Sequence, residues 1–271
     1  MNSILLIGDI VGYGNLGLSA MIPILTNMKF ATYKLPTSIV SNNFSYGDFA
    51  ILDTTEYIRE CIKIWKKQNF SVDAVCTGYL VSEEQTLLIS DFCKELKKNG
   101  THIFVDPIMA DNGKLYNGAT THTIEYMRYM CKNADIIVPN FTEAKFLANK
   151  YLEKNSLSLV EATDLITILH ALGRNSVVIS SMIVEEQTCT MIFEEQTNTV
   201  KLFPYEMIPS FFSGTGDIFS SILIGKYLHG CSLENSVLEA MNFVRKMIQI
   251  NQNYPQPDNG IPIEQHLKEI F

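Results

Sequence analysis

Short apolar runs alternate along this chain with longer segments whose apolar residues recur at helical spacing, the pattern of a parallel sheet wrapped by helices. The apolar runs predict strands at residues 4–9, 31–37, 74–77, 102–106, 136–139 and 177–180. The amphipathic segments predict helices at 16–28, 54–68, 83–98, 121–131, 142–151 and 159–172. From Thr188 the rhythm changes: runs at 190–193 and 199–203 read as a hairpin at the sheet's far edge, and two long helices at 217–228 and 233–251 close the chain. Four of the strands end on polar residues, Asp9, Asp106, Asn140 and Ser180. Ligands of open α/β sheets bind at the carboxyl ends of strands, so these four positions are expected to converge on one cleft.

Composition narrows the class. With 271 residues and 46% hydrophobic content the chain can bury a sizeable core, and with no repeat, low-complexity tract or linker in view a single domain over 1–271 is expected. A formal charge of −8 argues against a nucleic-acid partner, which needs a basic face. Six scattered cysteines without a CxxC pair suggest reduced thiols rather than a zinc site or a disulfide framework. No targeting run and no apolar stretch of spanning length is evident, so a cytoplasmic protein without a membrane partner is expected.

The richest chemistry lies in Ser213-Gly214-Thr215-Gly216-Asp217, which opens an apolar helix. Two glycines allow a tight turn close to a ligand, and the helix start aims unpaired N–H groups at the same spot. Beside that anion cradle, Asp217 can take a proton from an alcohol while the amides hold the charge of a transferring phosphoryl group. The plainer account is a turn followed by a helix-start acid that favours the dipole. A competing motif, Gly12-Tyr13-Gly14-Asn15-Leu16-Gly17, matches G-x-G-x-x-G between a strand and a helix. It lacks the acid roughly 20 residues on that a dinucleotide site needs, and Asp9 just before it would repel a pyrophosphate. The loop therefore reads as one shaped to a substrate, and the missing G-x-x-x-x-G-K-[ST] excludes a P-loop kinase.

Two further stretches carry oxygen ligands. The run from Asp106 to Tyr116 leaves a strand with Asp106 and Asp111 on a turn-rich loop, a donor set suited to Mg2+ bridged to phosphates. Asp111 also fits as a turn former ahead of Asn112-Gly113. In Pro139-Asn140-Phe141-Thr142-Glu143-Ala144, Glu143 falls in the first helical turn, where Asn140 and Glu143 also fit a capping box.

Together, Asp106–Tyr116, Pro139–Ala144 and Gly214–Asp217, with Ser41-Asn42, Tyr46-Gly47 and Thr77-Gly78-Tyr79-Leu80, stand in the order and spacing of the pyridoxal kinases of the ribokinase-like superfamily. The chain resembles that family over nearly its whole length. The resemblance implies a three-layer α/β fold, a mostly parallel central sheet flanked by helices, and a homodimer. It implies ATP-dependent phosphorylation of the 5′-hydroxymethyl group of a B6 vitamer, with Mg2+ and room for a monovalent cation (K+ or Na+). By the same resemblance Asp217 is the base, and Gly214, Thr215 and Gly216 form the anion hole. Asp106, Asp111 and Glu143 would organise the metal, with Asn140 and Tyr116 near the phosphates and Ser180 and Ser181 along the nucleotide.

Departures cluster where the vitamin would sit. Asp9 replaces a frequent serine, Asn43 a frequent histidine and Phe44 a common threonine, while Ala110 stands where glycine is usual. These changes put the preferred vitamer in play, with Asp9 and Phe44 as vitamin-pocket residues. Hydroxymethylpyrimidine kinases share several of the motifs but usually carry cysteine after the final Gly-x-Gly, so Asp217 favours the pyridoxal branch. A vitamin-binding protein without turnover is the remaining alternative, against which the intact Asp217 and Glu143 speak.

Overall fold

A computed structural model describes residues 2–270. In chain order the elements are β1 (Ser3–Tyr13), α1 (Leu18–Asn27), β2 (Ala31–Asn42), β3 (Ile51–Asp53), α2 (Thr55–Lys67), β4 (Ala74–Thr77), α3 (Glu83–Lys98) and β5 (His102–Val105). There follow β6 (Ala110–Asp111), β7 (Lys114–Leu115), α4 (Thr121–Cys131), β8 (Ile136–Ile137), α5 (Phe141–Ala148), α6 (Leu159–Ala171), β9 (Ser176–Val184), β10 (Gln187–Glu194), β11 (Thr199–Pro204), α7 (Thr215–Leu228) and α8 (Leu233–Ile250). The alternating pattern thus yields an α/β fold whose inner strands run parallel.

The chain divides into two compact units: Met1–Val81, Asn99–Thr101 and Ile208–Phe271 in the first, Ser82–Lys98 and His102–Met207 in the second. In the first unit β1 pairs in parallel with β2 and β4, and β3 adds an antiparallel edge. Ile4, Leu5, Leu6 and Ile7 of β1 are buried, as a continuous apolar run covered on both faces requires. Helix α1 packs on β1 and on α7, and α7 on α8. Residues Ile218 to Gly225 of α7 are all buried, so the helix that follows the glycine loop is anchored in the core.

In the second unit β5, β8 and β9 run parallel, and β10 and β11 complete an antiparallel meander at the edge, where the hairpin was expected. Helices α5 and α6 pack on β9. Helix α6 starts at a capping box in which the Ser158 side chain accepts from the Glu161 N–H, which satisfies a donor that the helix start leaves open.

Some boundaries differ from the periodicity, each for a local reason. Strand β2 continues through Pro36 to Asn42 because its register against β1 slips between Gly8 and Ile10 and β3 pairs only with Ser38, Ile39 and Val40, which lets the missing N–H pass. Helix α1 begins two residues later than expected because Gly17, at φ 53° and ψ −133°, is its non-helical cap. Helix α5 stops at Ala148 because Asn149 takes the left-handed conformation and closes it. All six cysteines are free thiols, four of them buried and Cys61 and Cys231 half-buried. No described helix is long and apolar enough to cross a membrane.

Candidate active site

The expected site residues fall into two clusters, one on each unit. On the first unit the centre is the turn before α7. Gly214 caps that helix in the left-handed conformation, φ 76° and ψ 6°, where a side chain is strained. A Cβ there would also lie 2.6 Å from Leu16 Cδ2 and 3.1 Å from the Asn15 carbonyl oxygen, so only glycine lets the two loops touch. At Gly216 a Cβ would meet only open space. The first-turn N–H groups of α7 have no acceptor within the helix and lie at its positive end. Asp217 sits in that turn, half-buried, and its Oδ2 accepts a 2.9 Å hydrogen bond from the Gly17 N–H.

Asp9 lies at the register slip of β1, which turns it out of the regular ladder. Removal from water pushes its carboxyl up to about 6, against the smaller, opposite pull of a backbone hydrogen bond. A folded-state value above the unfolded one means that proton binding stabilises the fold. That contribution is whole below the ordinary value of 3.8 and is lost as pH rises through about 6. Asp9→Asn, which cannot ionise, should therefore gain thermal stability relative to the natural protein between pH 4 and pH 8. Melting curves with a constant difference across that range would remove the carboxyl from its dry setting.

Phe44 opens a short 3₁₀ turn and is half-buried, with the rings of Phe49 at 4.6 Å and Tyr79 at 5.5 Å. Its neighbour Asn43 holds this flap in place: Nδ2 donates to Ser213 Oγ and to the Asp258 carbonyl oxygen, both at 2.8 Å, and Oδ1 accepts from the Ser45 N–H. The Tyr46 hydroxyl donates to Asn259 Oδ1 at 2.7 Å. The sequence marks Asn43 only as a departure, and nothing in it singles out Asp258 or Asn259. The ties to Asp258 and Asn259 span more than 200 residues and leave no local signature.

On the second unit, Asp106 follows β5 and is half-buried, and the chain then forms the tight β6–β7 hairpin. Asp111 closes that hairpin by accepting from the backbone and side-chain nitrogens of Asn112 at 2.8 and 3.1 Å. The Gly113 N–H at the tip donates to Thr142 Oγ1 at 2.9 Å, and the Tyr116 N–H returns to the Met109 carbonyl at 2.9 Å.

Asn140 caps α5 and reaches both ways: Oδ1 accepts from the Glu143 N–H at 2.9 Å, and Nδ2 donates to the Ala110 carbonyl at 2.8 Å. Glu143, 2% exposed, accepts from the Met109 N–H at 3.0 Å and more weakly from Ala110 at 3.4 Å through Oε1, and from the Asn140 N–H at 2.9 Å through Oε2. Burial, and then the charge of Asp106, raises its carboxyl well above the usual range, against those hydrogen bonds. Glu143 thus ties the loop to the helix, and Asp111 bonds within its own turn. Both carboxylates are engaged with nitrogen donors, and among the described residues no three acidic, histidine or cysteine side chains gather to hold a metal by themselves.

Ser180 bridges to Asn140, and its N–H donates to the Pro139 carbonyl at 3.1 Å, so the ends of these two segments do meet. Next to it Ser181 is exposed with φ 55°, opposite the register slip between Cys189 and Met191. A bulge there lifts Ser180 and Ser181 out of the ladder, and Ser181 bonds the Tyr205 side chain.

The phosphomethylpyrimidine kinase family model matches residues 13–261. A crystal structure of a Bacteroides thetaiotaomicron protein, provisionally named a phosphomethylpyrimidine kinase and solved with pyridoxal, is 31% identical, with a TM-score of 0.94 over 99% of this chain and 95% of that one. Pyridoxal kinase of Dictyostelium discoideum is 31% identical over 163 residues, 56% of this chain and 52% of its own. Pyridoxal kinase from Leishmania donovani, solved with ADP and pyridoxamine, shares the fold at 21% identity, with a TM-score of 0.86 over 99% of this chain and 95% of that one. The chain spans about half the length of the first curated relatives it matches, between 47% and 58% for three of them.

Proposed function

The chain belongs to the phosphomethylpyrimidine kinase family, and on that premise we propose that it phosphorylates the 5′-hydroxymethyl group of a vitamin B6 vitamer with ATP. The observation that carries this reading is the turn from Gly214 to Asp217, where a left-handed glycine, an uncapped helix start and a carboxylate share one loop. In this mechanism Asp217 accepts the proton of the alcohol as the alcohol oxygen attacks the terminal phosphorus of ATP, and the bond from that phosphorus to the β,γ-bridging oxygen breaks to release ADP. The N–H groups of Gly214, Thr215 and Gly216 meet the charge of the phosphoryl group, so catalysis rests on positioning and electrostatics. Pyridoxal in the Bacteroides structure, and ADP with pyridoxamine in the Leishmania one, support the pairing of a B6 vitamer with an adenine nucleotide.

We assign the nucleotide side to Asp106, Asn140, Tyr116, Ser180 and Ser181. Hard oxygen donors suit Mg2+, and Asp106 fits it together with phosphate oxygens and water. Asp111 and Glu143 then act one step back, by shaping the loop. When bound, the ion would neutralise phosphate charge and orient the terminal group. The exposed Ile39 and Leu52, paired across β2 and β3, offer apolar surface to a second copy, which supports a homodimer. A cytoplasmic setting fits the six free thiols.

The test is a panel of pyridoxal, pyridoxamine, pyridoxine and hydroxymethylpyrimidine with ATP and Mg2+, in K+ and in Na+, read as phosphorylated product. Turnover of at least one vitamer above the pyrimidine is expected, and ATP-independent binding alone would make this a carrier. In the same panel Asp9→Ser should change the ratios of kcat/KM among the three vitamers, because a carboxylate and a hydroxyl meet the ring's polar groups differently. Equal ratios would take Asp9 out of the vitamin pocket.

A further inference from the structure

Phosphoryl transfer as described leaves the glycine loop at residues 12–17 without a task, yet its last residue lies between two carboxyl groups. On one side the Gly17 N–H donates to Asp217 Oδ2 at 2.9 Å. On the other, a Cβ at position 17 would stand 2.6 Å from Asp9 Oδ1 and 2.7 Å from the Asp9 carbonyl oxygen. The backbone there, φ 53° and ψ −133°, is one that side chains other than glycine's do not adopt at ease.

The loop is pinned from several directions. Gly17 forms a bridge with Ile10 of β1, and the Asn15 N–H donates to the Asn259 carbonyl at 2.7 Å. Leu16, 8% exposed, wedges its side chain against the backbones of Gly214 and Gly260, where a Cβ would meet it at 2.6 and 3.3 Å. Loop and anion turn are therefore fitted to each other along their main chains, and a donor at a fixed place meets the carboxylate at the start of a buried helix.

The geometry points to Gly17 as a positioning residue that holds the Asp217 carboxylate in one orientation beside the anion turn through its main-chain N–H. This rests on Asp217 being the base. It explains why the segment resembles a dinucleotide fingerprint without its ribose acid: the glycines admit a neighbouring loop and a carboxylate rather than a pyrophosphate.

Gly17→Ala should lower kcat on the order of 10²-fold, the effect of a small misplacement of a reacting group. The acid limb of its pH–kcat profile should move to higher pH, because a donor to a carboxylate favours the ionised form and its loss has the opposite effect. In the Asp217→Asn background the same substitution should add little further loss. Independent, multiplying losses in the double variant would overturn the proposal. A second readout needs no folded Gly17 variant. In the natural protein the Gly17 amide proton should titrate in part with Asp217, and that component should vanish in Asp217→Asn, leaving any component from Asp9. An identical titration in both proteins would equally overturn it. If instead Asp217→Asn keeps its kcat, the base assignment fails, while the amide titration still decides whether the contact exists.

Discussion

Asp217→Asn is expected to lower kcat for the vitamer by roughly 10² to 10⁴, the range that general base catalysis supplies. The amide matches the carboxylate in size and keeps an oxygen that can accept from the Gly17 N–H, so the turn at the start of α7 should hold its shape. What disappears is the basic lone pair that takes the alcohol's proton. Nucleotide affinity should change little, since the backbone N–H groups of the turn remain and one nearby negative charge is gone. If Asp217 served only as a helix-start acid, its loss would cost about 0.3 to 1 kcal/mol of stability and leave turnover intact. Steady-state kinetics with each vitamer and titration of a nucleotide analogue, on protein checked by circular dichroism, separate the two. A folded variant with near-normal kcat would falsify the base assignment.

How much of this was legible before the fold was known depends on the range of the interaction. Patterns within one turn or one strand were readable: the apolar run of β1, the helical spacing of α3, whose observed limits match the expected ones, and the Asn140–Glu143 capping box. Each follows from side chains a few residues apart. Left-handed residues outside glycine were not readable, because Asn149 and Ser181 take that conformation to satisfy a helix end and a bulge whose partners lie elsewhere. The short edge strand β3 was missed as well, since its three residues are exposed and show no alternation.

Within the site, residue types were legible and their geometry was not. Spacing identified Asp217 as the acid at the anion turn, but nothing local indicated that Gly17, 200 positions away, would donate to it. Asp9 is readable as a polar strand end, whereas the burial that raises its carboxyl depends on how the chain folds around it. The two readings of Glu143, metal-side acid and helix cap, could not be parted from its sequence position. That choice depends on which donors its oxygens meet in three dimensions.

Glu143 therefore yields the second large effect, and it is one of stability. Its carboxyl accepts from the Met109 and Asn140 N–H groups at 3.0 and 2.9 Å, and more weakly from Ala110 at 3.4 Å, at a residue 2% exposed. Glu143→Ala strands at least two of these donors in the interior, at about 1 to 3 kcal/mol each. The expected total is about 2 to 6 kcal/mol, a fall in Tm on the order of 10 °C. The loss should depend on pH. Burial and Asp106 raise the folded-state value of this carboxyl, so its proton-linked stabilisation is whole below the ordinary value of 4.5 and declines as pH rises through the folded one. The natural protein's advantage over Glu143→Ala should accordingly be largest in acid and narrow toward neutral pH. Glu143→Gln keeps one acceptor oxygen but turns an NH2 group toward the remaining donors, so its Tm should fall by less. Its Mg2+ requirement should stay near that of the natural protein, because the carboxylate already serves the backbone between β5 and α5. A steep rise in the Mg2+ needed for activity, with Tm unchanged, would return Glu143 to the metal's own shell, whereas a lower Tm at an unchanged Mg2+ requirement identifies the carboxylate as the strut that holds the Asp106 loop in place.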